Sequence, residues 1–441
     1  MLKQFAMSLG LAGAVLLAAC DKNERVLTGE RESIRAATAA SATEISRTAP
    51  AEAPPLSLPA ARANTQWPQS IATPTTRTAH PALGRSLSLA WSVDIGAGDG
   101  KRNRITADPV VAGGRIFTLD SEARVSAVSS QGRVIWTRDL VPPGESGSDA
   151  SGGGLAYGDG KLFVSSGFGV LTALDAATGE ELWQQDLRTT STGSPTVYGD
   201  LVYLVSGDEV GWAVDVETGR IKWQLTGTPN KNNVLGAPAP ALSSKYAVFA
   251  FGSGEVQTAF RKGGLRRWGA QVAGRRTGFS TARVLDITSD PVIDGRRIYV
   301  GTHAGRTVAL ELDSGDRLWT AADGPLNPVW PAGDSIFLVS DRNELLRLSA
   351  RDGQRLWAHK LPFFTKDKPR KQNEIYAHHG PVIAGGRLIV ASNDGRLRFF
   401  DPQDGRPLGS TSLPGGATTN PVVAGNTLYV ISTAGQLLAF R

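Results

Sequence analysis

Residues 89–95 read Leu-Ala-Trp-Ser-Val-Asp-Ile and match residues 134–140, Val-Ile-Trp-Thr-Arg-Asp-Leu. The second stretch is the last strand of a sequence repeat, whereas the first stands ahead of all the repeats. The final repeat stops at Phe440-Arg441 without reaching a Trp strand of its own. Since the N-terminal stretch supplies the missing strand, the repeats are predicted to close into a ring rather than form an open stack.

The repeat occurs eight times between residues 87 and 441. Each copy contains short apolar strands of alternating polarity separated by Gly-containing turns. A proline usually opens the first strand, where its missing N–H removes no ladder hydrogen bond. The eight first strands start at Asp108-Pro109, Gly153-Gly154, Ser194-Pro195, Ala239-Pro240, Asp290-Pro291, Asn327-Pro328, Gly380-Pro381 and Asn420-Pro421.

A tryptophan marks the last strand of most copies, and Leu408 takes its place in the seventh. The spacing of 38 to 51 residues between these tryptophans is the size of a four-stranded propeller blade. We therefore predict an all-β, eight-bladed β-propeller of four-stranded antiparallel blades over residues 87–441. Recurring aromatics at one blade position are expected to pack between blades; they are Trp91, Trp136, Trp183, Trp223, Trp268, Trp319 and Trp357.

The N-terminus reads as a targeting segment. Lys3 precedes an apolar run over residues 6–17, which is too short to span a bilayer. The run ends in Leu17-Ala18-Ala19-Cys20, which resembles the lipobox of bacterial lipoproteins and predicts a signal peptide over residues 1–19 and acylation of Cys20. Cys20 is the only cysteine in the chain, so no intramolecular disulfide can form.

Residues 20–86 are predicted to be a lipidated cysteine followed by a flexible tether. The stretch 36–81 is rich in Ala, Thr, Ser and Pro and has no sustained apolar pattern. Such a segment buries too little surface to offset the entropy of ordering it. Trp67 is the exception within it, and either docks on the propeller or has no measurable role.

Composition and motifs give no sign of catalysis. The net charge of +6 is small for 441 residues, and no nucleic-acid-binding motif is present. We find no phosphate-binding loop, nucleophile elbow or acid/base pair. His378-His379 stands at a strand entry without a carboxylate at metal-ligand spacing. The sequence therefore predicts no enzyme activity, no metal, no cofactor and no small-molecule substrate.

The long connections point to a binding face. In an antiparallel blade, the link from the last strand to the next blade leaves on the face opposite the first and third turns. The four long links are predicted over residues 141–152, 226–236, 273–289 and 362–379. Long loops on a rigid scaffold commonly carry binding. Links 273–289 and 362–379 are basic, which suggests either an acidic partner or only a solvated loop.

Residues 174–183, Leu-Asp-Ala-Ala-Thr-Gly-Glu-Glu-Leu-Trp, resemble the repeat signature of pyrroloquinoline-quinone-type propellers. Quinone-dependent alcohol dehydrogenases share that signature, which makes a quinone-dependent oxidoreductase the least favoured of three functional alternatives. Those enzymes stack the cofactor against a disulfide of two adjacent cysteines, whereas this chain has Cys20 alone.

The lipobox, the tether and eight such repeats together resemble the BamB family. That resemblance implies a non-catalytic scaffold lipoprotein at the periplasmic face of the outer membrane, within the β-barrel assembly complex. It implies binding to the periplasmic POTRA region of the barrel-inserting subunit. Asp21 after the lipidated cysteine resembles an inner-membrane retention signal, so the alternative is an envelope protein-binding propeller of another system.

In the family, two loops of neighbouring blades carry the POTRA contact. The matching stretches here are 232–238 and 283–291. They differ from the family pattern, because the first lacks an Arg and Thr288 stands where the second has an Asp. The resemblance nominates Asn233, Val234, Leu235, Arg283, Asp286 and Thr288 as partner-binding residues, with Asp286 central.

Overall fold

A computed structural model describes residues 53–78, 80–230, 237–272, 274, 286–302 and 304–441. These residues form eight four-stranded antiparallel sheets, which confirms the predicted eight-bladed all-β propeller. Over the described residues there are two short 3-10 turns, at Gly147–Asp149 and Pro369–Lys371, and no α-helix. No helix among them is long and apolar enough to cross a membrane.

The strands of the first half are β1 (Leu89–Asp94), β2 (Val110–Ala112), β3 (Arg115–Leu119), β4 (Arg124–Ser129), β5 (Val134–Asp139), β6 (Gly153–Gly158), β7 (Lys161–Ser166), β8 (Val170–Asp175), β9 (Glu181–Asp186), β10 (Thr196–Tyr198), β11 (Leu201–Val205), β12 (Val210–Asp215), β13 (Ile221–Thr226), β14 (Ala241–Leu242), β15 (Tyr246–Ala250), β16 (Glu255–Phe260) and β17 (Arg266–Gln271). The second half continues with β18 (Val292–Asp294), β19 (Arg297–Thr302), β20 (Arg306–Glu311), β21 (Arg317–Ala321), β22 (Trp330–Ala332), β23 (Ser335–Val339), β24 (Glu344–Ser349), β25 (Arg355–Lys360), β26 (His378–Ala384), β27 (Arg387–Ser392), β28 (Arg396–Phe400), β29 (Pro407–Ser412), β30 (Val422–Ala424), β31 (Thr427–Ile431) and β32 (Gln436–Phe440). Blade one is β2–β5, and each following group of four strands makes the next blade up to blade seven, β26–β29. Blade eight consists of β30–β32 together with β1.

Ring closure occurs where the sequence predicts it. Blade eight has the strand order β1-β32-β31-β30, so the N-terminal strand completes the last sheet. Trp91 lies opposite Ala439, and Asp94 lies opposite Gln436. The backbones of Ser88 and Arg441 exchange two further hydrogen bonds of 2.8 and 3.0 Å. Both termini of the propeller are therefore held in one sheet.

Burial falls from the inner strands to the outermost strand of each blade. The second strands are almost entirely buried, as in β31, whereas the outermost strand β5 is exposed over most of its length. The inner strands lie between two neighbouring blades, which accounts for their continuous runs of Val, Ile, Leu and Phe. The outermost strand has one free edge and carries mostly polar residues beside its Trp.

Each blade tryptophan lies over a glycine in the third-to-fourth-strand turn of the next blade. Trp183 packs on Phe163 of its own blade at 5.8 Å between ring centroids. A Cβ on Gly219 would come within 2.7 Å of the Trp183 ring, and Gly219 has a φ of +69°. Only glycine fits this position, because the turn needs a positive φ and the ring covers the place of a side chain.

All seven joints of this kind share a hydrogen bond from the indole Nε1–H to a backbone carbonyl of the next blade, at 2.9–3.3 Å. The pairs are Trp91 with Ser130, Trp136 with Ala176, Trp183 with Val216, Trp223 with Arg261, Trp268 with Leu312, Trp319 with Ala350 and Trp357 with Pro402.

Blade seven departs from the expected pattern. The residue at the tryptophan position of β29 is Gly409, which pairs with Phe399 just before the register shift that every outer strand shows. In blade two, Trp183 pairs with Ala173 before the same shift. Leu408, which the sequence analysis puts in the tryptophan's place, lies one residue earlier and is 46% exposed. Because side chains alternate along a strand, this one-residue offset places Leu408 on the other side of the sheet.

Residues 53–86 were expected to belong to a flexible tether, but residues 53–78 and 80–86 pack on the propeller in the structure. Trp67 is 1% exposed and exchanges two backbone hydrogen bonds with Val111 of β2. The innermost strand of each blade has a free edge toward the axis, and unpaired backbone groups at such an edge need partners. The segment supplies those partners, which is why a stretch of low hydrophobicity is ordered here.

Candidate functional site

The propeller has two faces of different character. The links from each outermost strand to the next blade, together with the second-to-third-strand turns, lie on one face, which we call the link face. The first-to-second and third-to-fourth-strand turns lie on the other, the turn face. Long links span residues 95–109, 140–152, 227–240, 272–291 and 361–377. The turns on the turn face are short.

Four of the six nominated binding residues, Asn233, Val234, Leu235 and Arg283, lie outside the described residues, and so does the predicted lipidation site Cys20. Asp286 and Thr288 are described, and both stand in the link before β18. Asp286 is only 4% exposed and takes part in an interaction within the chain. The hypothesis of a direct partner contact needs an accessible carboxylate, so Asp286 fits a supporting position better than a contact position.

Thr288 lies at the rim of an axial cavity of about 320 Å³ that opens on the link face. Its hydroxyl donates to the Pro325 carbonyl at 3.3 Å. The walls of this cavity, which we call the axial funnel, come from residues just before the first strands of several blades. They include Asp108, Ser194, Asp290, Asn327 and Asn420, and His379 within β26 also lines the cavity. The residues that open the repeats in sequence therefore surround the axis in space.

Several of these residues also join neighbouring blades. The Asp108 carboxylate accepts from Asn420 N at 2.7 Å and from Asn420 Nδ2 at 3.0 Å, which links blades one and eight. Asn420 Oδ1 in turn accepts from Gly380 N of blade seven at 2.8 Å. Asp290 Oδ1 accepts from Ala239 N of blade four at 2.8 Å. The polar side chains before the prolines thus form part of an inner belt that holds the ring.

Burial dominates the electrostatics of the funnel. It raises the pKa of Asp108 to about 7 and also raises the pKa of Asp290. Burial lowers the pKa of the Arg77 guanidinium to about 10, and the nearby carboxylates of Asp108 and Asp290 act in the opposite direction. Arg77 therefore remains cationic at neutral pH and partly offsets the two buried acids.

Residues 53–78 and 80–86, which we call the N-terminal plug, pack against the blades beside the funnel. The Arg77 guanidinium lies 4.5 Å from the centroid of the Trp330 ring, and Trp330 lies 6.2 Å from Trp67. Ser70 donates to Asp290 at 2.6 Å and lines the cavity itself. Trp67 and Arg77 of the plug thus pack with Trp330 of blade six near the axis.

The plug contacts all eight blades. Its backbone or side chains reach Val111 in blade one, Tyr157 in blade two, Val197 in blade three, Leu242 in blade four, Asp290 and Ile293 in blade five, Trp330 in blade six, Gly385 in blade seven, and Val423 and Gly425 in blade eight. Sequence reasoning missed this arrangement. The available signals were Trp67 and Arg77, which are unusual in a stretch of Ala, Thr, Ser and Pro.

The contacts of His378, the first of the two adjacent histidines, are with neighbouring residues of the fold. His378 Nδ1 lies 2.6 Å from Ser392 Oγ, and its Nε2 lies 2.8 Å from the Pro362 carbonyl. Burial lowers the pKa of His378, and it lowers that of His379 to about 4, so both rings are neutral at pH 7. Across the part of the chain that the structure describes, no three His, Cys, Asp or Glu side chains are grouped to hold a metal ion.

A second cavity, of about 420 Å³, lies on the link face between blades eight and one. Asp94, Asp120, Glu122 and Asp139 line it together with Arg124. The Asp120 carboxylate already accepts from the backbone N–H groups of Ala97, Glu122 and Arg124 at 2.8–2.9 Å. That carboxylate therefore shapes the loop and is not free for a ligand.

Comparison with known proteins matches the repeats to one family. The family described as "Outer membrane protein assembly factor BamB" matches residues 121–359 and 366–441. The protein of that name from Shewanella oneidensis is 26% identical over 359 residues, covering 79% of this chain and 87% of the relative. The one from Yersinia pestis is 25% identical over 363 residues, covering 80% and 89%. The family match begins after the plug.

Solved structures share the fold. BamB from Moraxella catarrhalis superposes with a TM-score of 0.66 at 17% identity, covering 81% of this chain and all of the other. A quinohemoprotein alcohol dehydrogenase from Comamonas testosteroni gives 0.64 at 16% identity, covering 86% and 81%. At such identities the likeness concerns architecture alone, and BamB and an alcohol dehydrogenase share it. The match along most of the sequence distinguishes the two: the chain belongs to the outer membrane protein assembly factor BamB family.

Proposed function

We propose that this protein is a non-catalytic scaffold lipoprotein that assists the insertion of outer-membrane proteins. It would bind the periplasmic POTRA region of the barrel-inserting subunit within the β-barrel assembly complex. The observation that carries the proposal is the family match, which extends through nearly all eight blades. A rigid ring with its long links on a single face suits a protein that holds a partner in a fixed orientation.

The proposed docking area is the link face beside blades four and five. It combines the links 227–240 and 272–291, with Asn233, Val234, Leu235 and Arg283 as contact residues. Thr288 and the buried Asp286 stand at the base of the second link, where they would support its conformation. Val234 and Leu235 would supply the apolar part of the contact, and Arg283 a charged part.

Attachment through Cys20 would place the protein at the periplasmic face of the outer membrane. Residues 20–52 would then be the tether, shorter than the sequence alone suggests because residues 53–86 pack on the ring. The first described residue, Ala53, accepts a hydrogen bond from Gln403 of a blade-seven turn at 3.1 Å. The tether would therefore join the ring on the turn face.

A scaffold role is favoured over quinone chemistry by what occupies the axis. Trp67, Arg77 and Trp330 fill the centre of the ring below the funnel. The chain also has a single cysteine, so the disulfide of two adjacent cysteines that the quinone enzymes use cannot form. We therefore propose no cofactor, no metal and no small-molecule substrate for this chain.

The second candidate is an envelope protein-binding propeller of another system, anchored in the inner membrane. Asp21 after the lipidated cysteine favours it, as do the changed residues in the two family loops. Membrane fractionation separates the two candidates. Recovery of the full-length protein with the inner membrane would support the second candidate and contradict the first.

The partner assignment is tested by co-purification of the full-length protein with the barrel-inserting subunit. We expect Leu235→Asp to reduce recovery of that subunit about tenfold, because it places a charge in the apolar part of the contact. Val141→Asp, on the same face beside blade one, is the matched control and should leave recovery unchanged. Asp286→Lys should also reduce recovery, with a thermal melt to separate lost contact from lost folding. Undiminished recovery with Leu235→Asp would remove this docking site.

A further inference from the structure

The link between blades six and seven is an ordered hairpin. Over residues 361–377, Phe364 forms a bridge with Ile375. Thr365 N donates to the Glu374 carbonyl at 3.1 Å, and Tyr376 N donates to the Phe363 carbonyl at 2.8 Å. The tip contains the 3-10 turn Pro369–Lys371. The link therefore has two antiparallel arms and a defined tip, and projects from the link face.

The base of the hairpin is held on both arms by one buried side chain. Asn343, in the second-to-third-strand turn of blade six, is 6% exposed. Its Nδ2 donates to the Pro362 carbonyl at 3.2 Å and to the Tyr376 carbonyl at 2.9 Å. Because a preformed loop loses less conformational entropy on binding than a flexible one, this anchoring suits a recognition surface.

The hairpin carries a cluster of unneutralised cations. Lys366, Lys368, Arg370 and Lys371 are all exposed, and within the described residues none of them forms an ion pair. Asp367 and Glu374 are the only carboxylates over residues 361–377. Four cations against two anions on one projecting loop create a positive local potential, which attracts acidic groups.

Exposed apolar groups lie beside these cations. Phe363 is 37% exposed and Ile375 is 47% exposed, one on each arm. Leu326, in the neighbouring link, is 44% exposed. The next residue, Asn327, ties that link to β26, because its Nδ2 donates to the His378 carbonyl at 3.0 Å. Apolar side chains on an anchored loop, rimmed by charge, are typical of a protein-binding surface.

We propose that hairpin 361–377 is a docking surface for an acidic protein segment that also carries apolar residues. The carboxylates would meet the four cations, and the apolar residues would cover Phe363 and Ile375. A protein segment is favoured because it can present carboxylates to the cations and apolar side chains to Phe363 and Ile375 on one surface. The matched family ranges stop at residue 359 and resume at 366, so the first arm lies outside the family match.

This surface is separate from the POTRA site proposed at blades four and five, and it does not depend on that proposal. Fluorescence anisotropy of a labelled short peptide, in which Glu alternates with Leu and Phe, measures binding to the full chain. We expect K366Q/K368Q/R370Q/K371Q to weaken binding about tenfold and salt to weaken it for the wild type. F363S/I375S should weaken it a few-fold while leaving the salt dependence in place.

The matched control is R133Q/R220Q/K262Q/R351Q, which removes four exposed cations from turns on the turn face. It should bind the peptide as the wild type does. Equal losses in the two quadruple variants would show a general charge effect and overturn the proposal. Binding to phosphatidylglycerol vesicles that the hairpin variant loses, together with no peptide binding, would also overturn it in favour of a lipid surface.

Discussion

Seven of the eight blade joints are built alike, and the joint between blades seven and eight is not. At the seven, an indole ring covers a glycine turn and donates to a carbonyl of the next blade. At the eighth joint, Gly409 stands where the tryptophan belongs. No third-to-fourth-strand turn exists in blade eight either, because β32 ends the chain and β1 comes from its beginning.

The N-terminal plug takes over at this exceptional joint. Leu83 of the plug is 7% exposed, the adjoining Leu87 is 8% exposed, and both belong to the core beside blades seven and eight. Arg387 of β27 donates to the carbonyls of Arg85 and Gly84 at 2.5 and 2.6 Å. The repeats thus provide their own packing wherever one complete blade follows another. At the joint between blades seven and eight, residues outside the repeat contribute to the packing.

The largest effect is expected from removing the plug itself. Deletion of residues 53–86 should lower the free energy of unfolding by more than the about 3–5 kcal/mol of one buried tryptophan truncation, since contacts to all eight blades are lost. Urea denaturation of the purified protein measures this. Deletion of residues 36–50, within the proposed tether, is the control and should have little effect. Equal effects of the two deletions would contradict the role given to the plug.

Truncation of single tryptophans compares the two kinds of packing directly. Trp67→Ala in the plug and Trp319→Ala in a blade joint should each cost about 3–5 kcal/mol, because both indoles are nearly buried. Trp319→Phe should cost about 1 kcal/mol for the lost hydrogen bond to Ala350. Thermal and urea unfolding give the values. A change at Trp67 within experimental error would show that the plug only rests on the ring.

A smaller effect is expected at the glycines beneath the indoles. Gly353→Ala should cost about 2–4 kcal/mol, from its positive φ and from crowding against the Trp319 ring. The new Cβ would lie 2.5 Å from Trp319 Cε3. Gly160→Ala is the control, since Gly160 has a φ of +76° but open space around it, and should cost only about 1–2 kcal/mol. Equal costs at the two sites would mean that the indole contact adds nothing.

The smallest effect concerns pH at the inner side of the joint between blades eight and one, where Asp108 accepts hydrogen bonds from Asn420. Burial raises the pKa of Asp108 from 3.8 to about 7, so the folded state binds this proton more tightly than the unfolded chain does. Above pH 7 the buried Asp108 carboxylate is charged and lowers the free energy of unfolding by its full amount. This loss shrinks as the pH falls from 7 toward 3.8, because the folded state takes up the proton first. Relative to Asp108→Asn, the wild type should gain about 1–2 kcal/mol between about pH 7 and pH 5.

Urea unfolding of both proteins across that pH range measures this difference. The pKa of His379 is lowered to about 4, so protonation of His379 also reduces the free energy of unfolding as the pH falls through this range. That contribution is the same in both proteins and therefore cancels in the difference between them. Parallel pH profiles would show that Asp108 is not perturbed at the joint.

The amino-acid sequence by itself determined the blades and the way they close. Glycine turns, alternating strands and the tryptophan spacing are local patterns that recur, and the unpaired Trp91 strand had to complete the unfinished last copy. The candidate binding face followed from the same patterns, because antiparallel connectivity fixes where the long links emerge.

Only the tertiary structure decided how the parts outside the repeat are used. The plug binds through single contacts between residues far apart in sequence, such as Trp67 with Val111 and Arg77 with Trp330, and such contacts leave no periodic pattern. Gly409, and not Leu408, occupies the tryptophan position of β29, and this one-residue difference is visible only from the strand pairing. Asp286 is buried, although its sequence context suggested a surface loop. In each case the free backbone edges and the space left by the assembled ring set the outcome, and these exist only after the blades have packed.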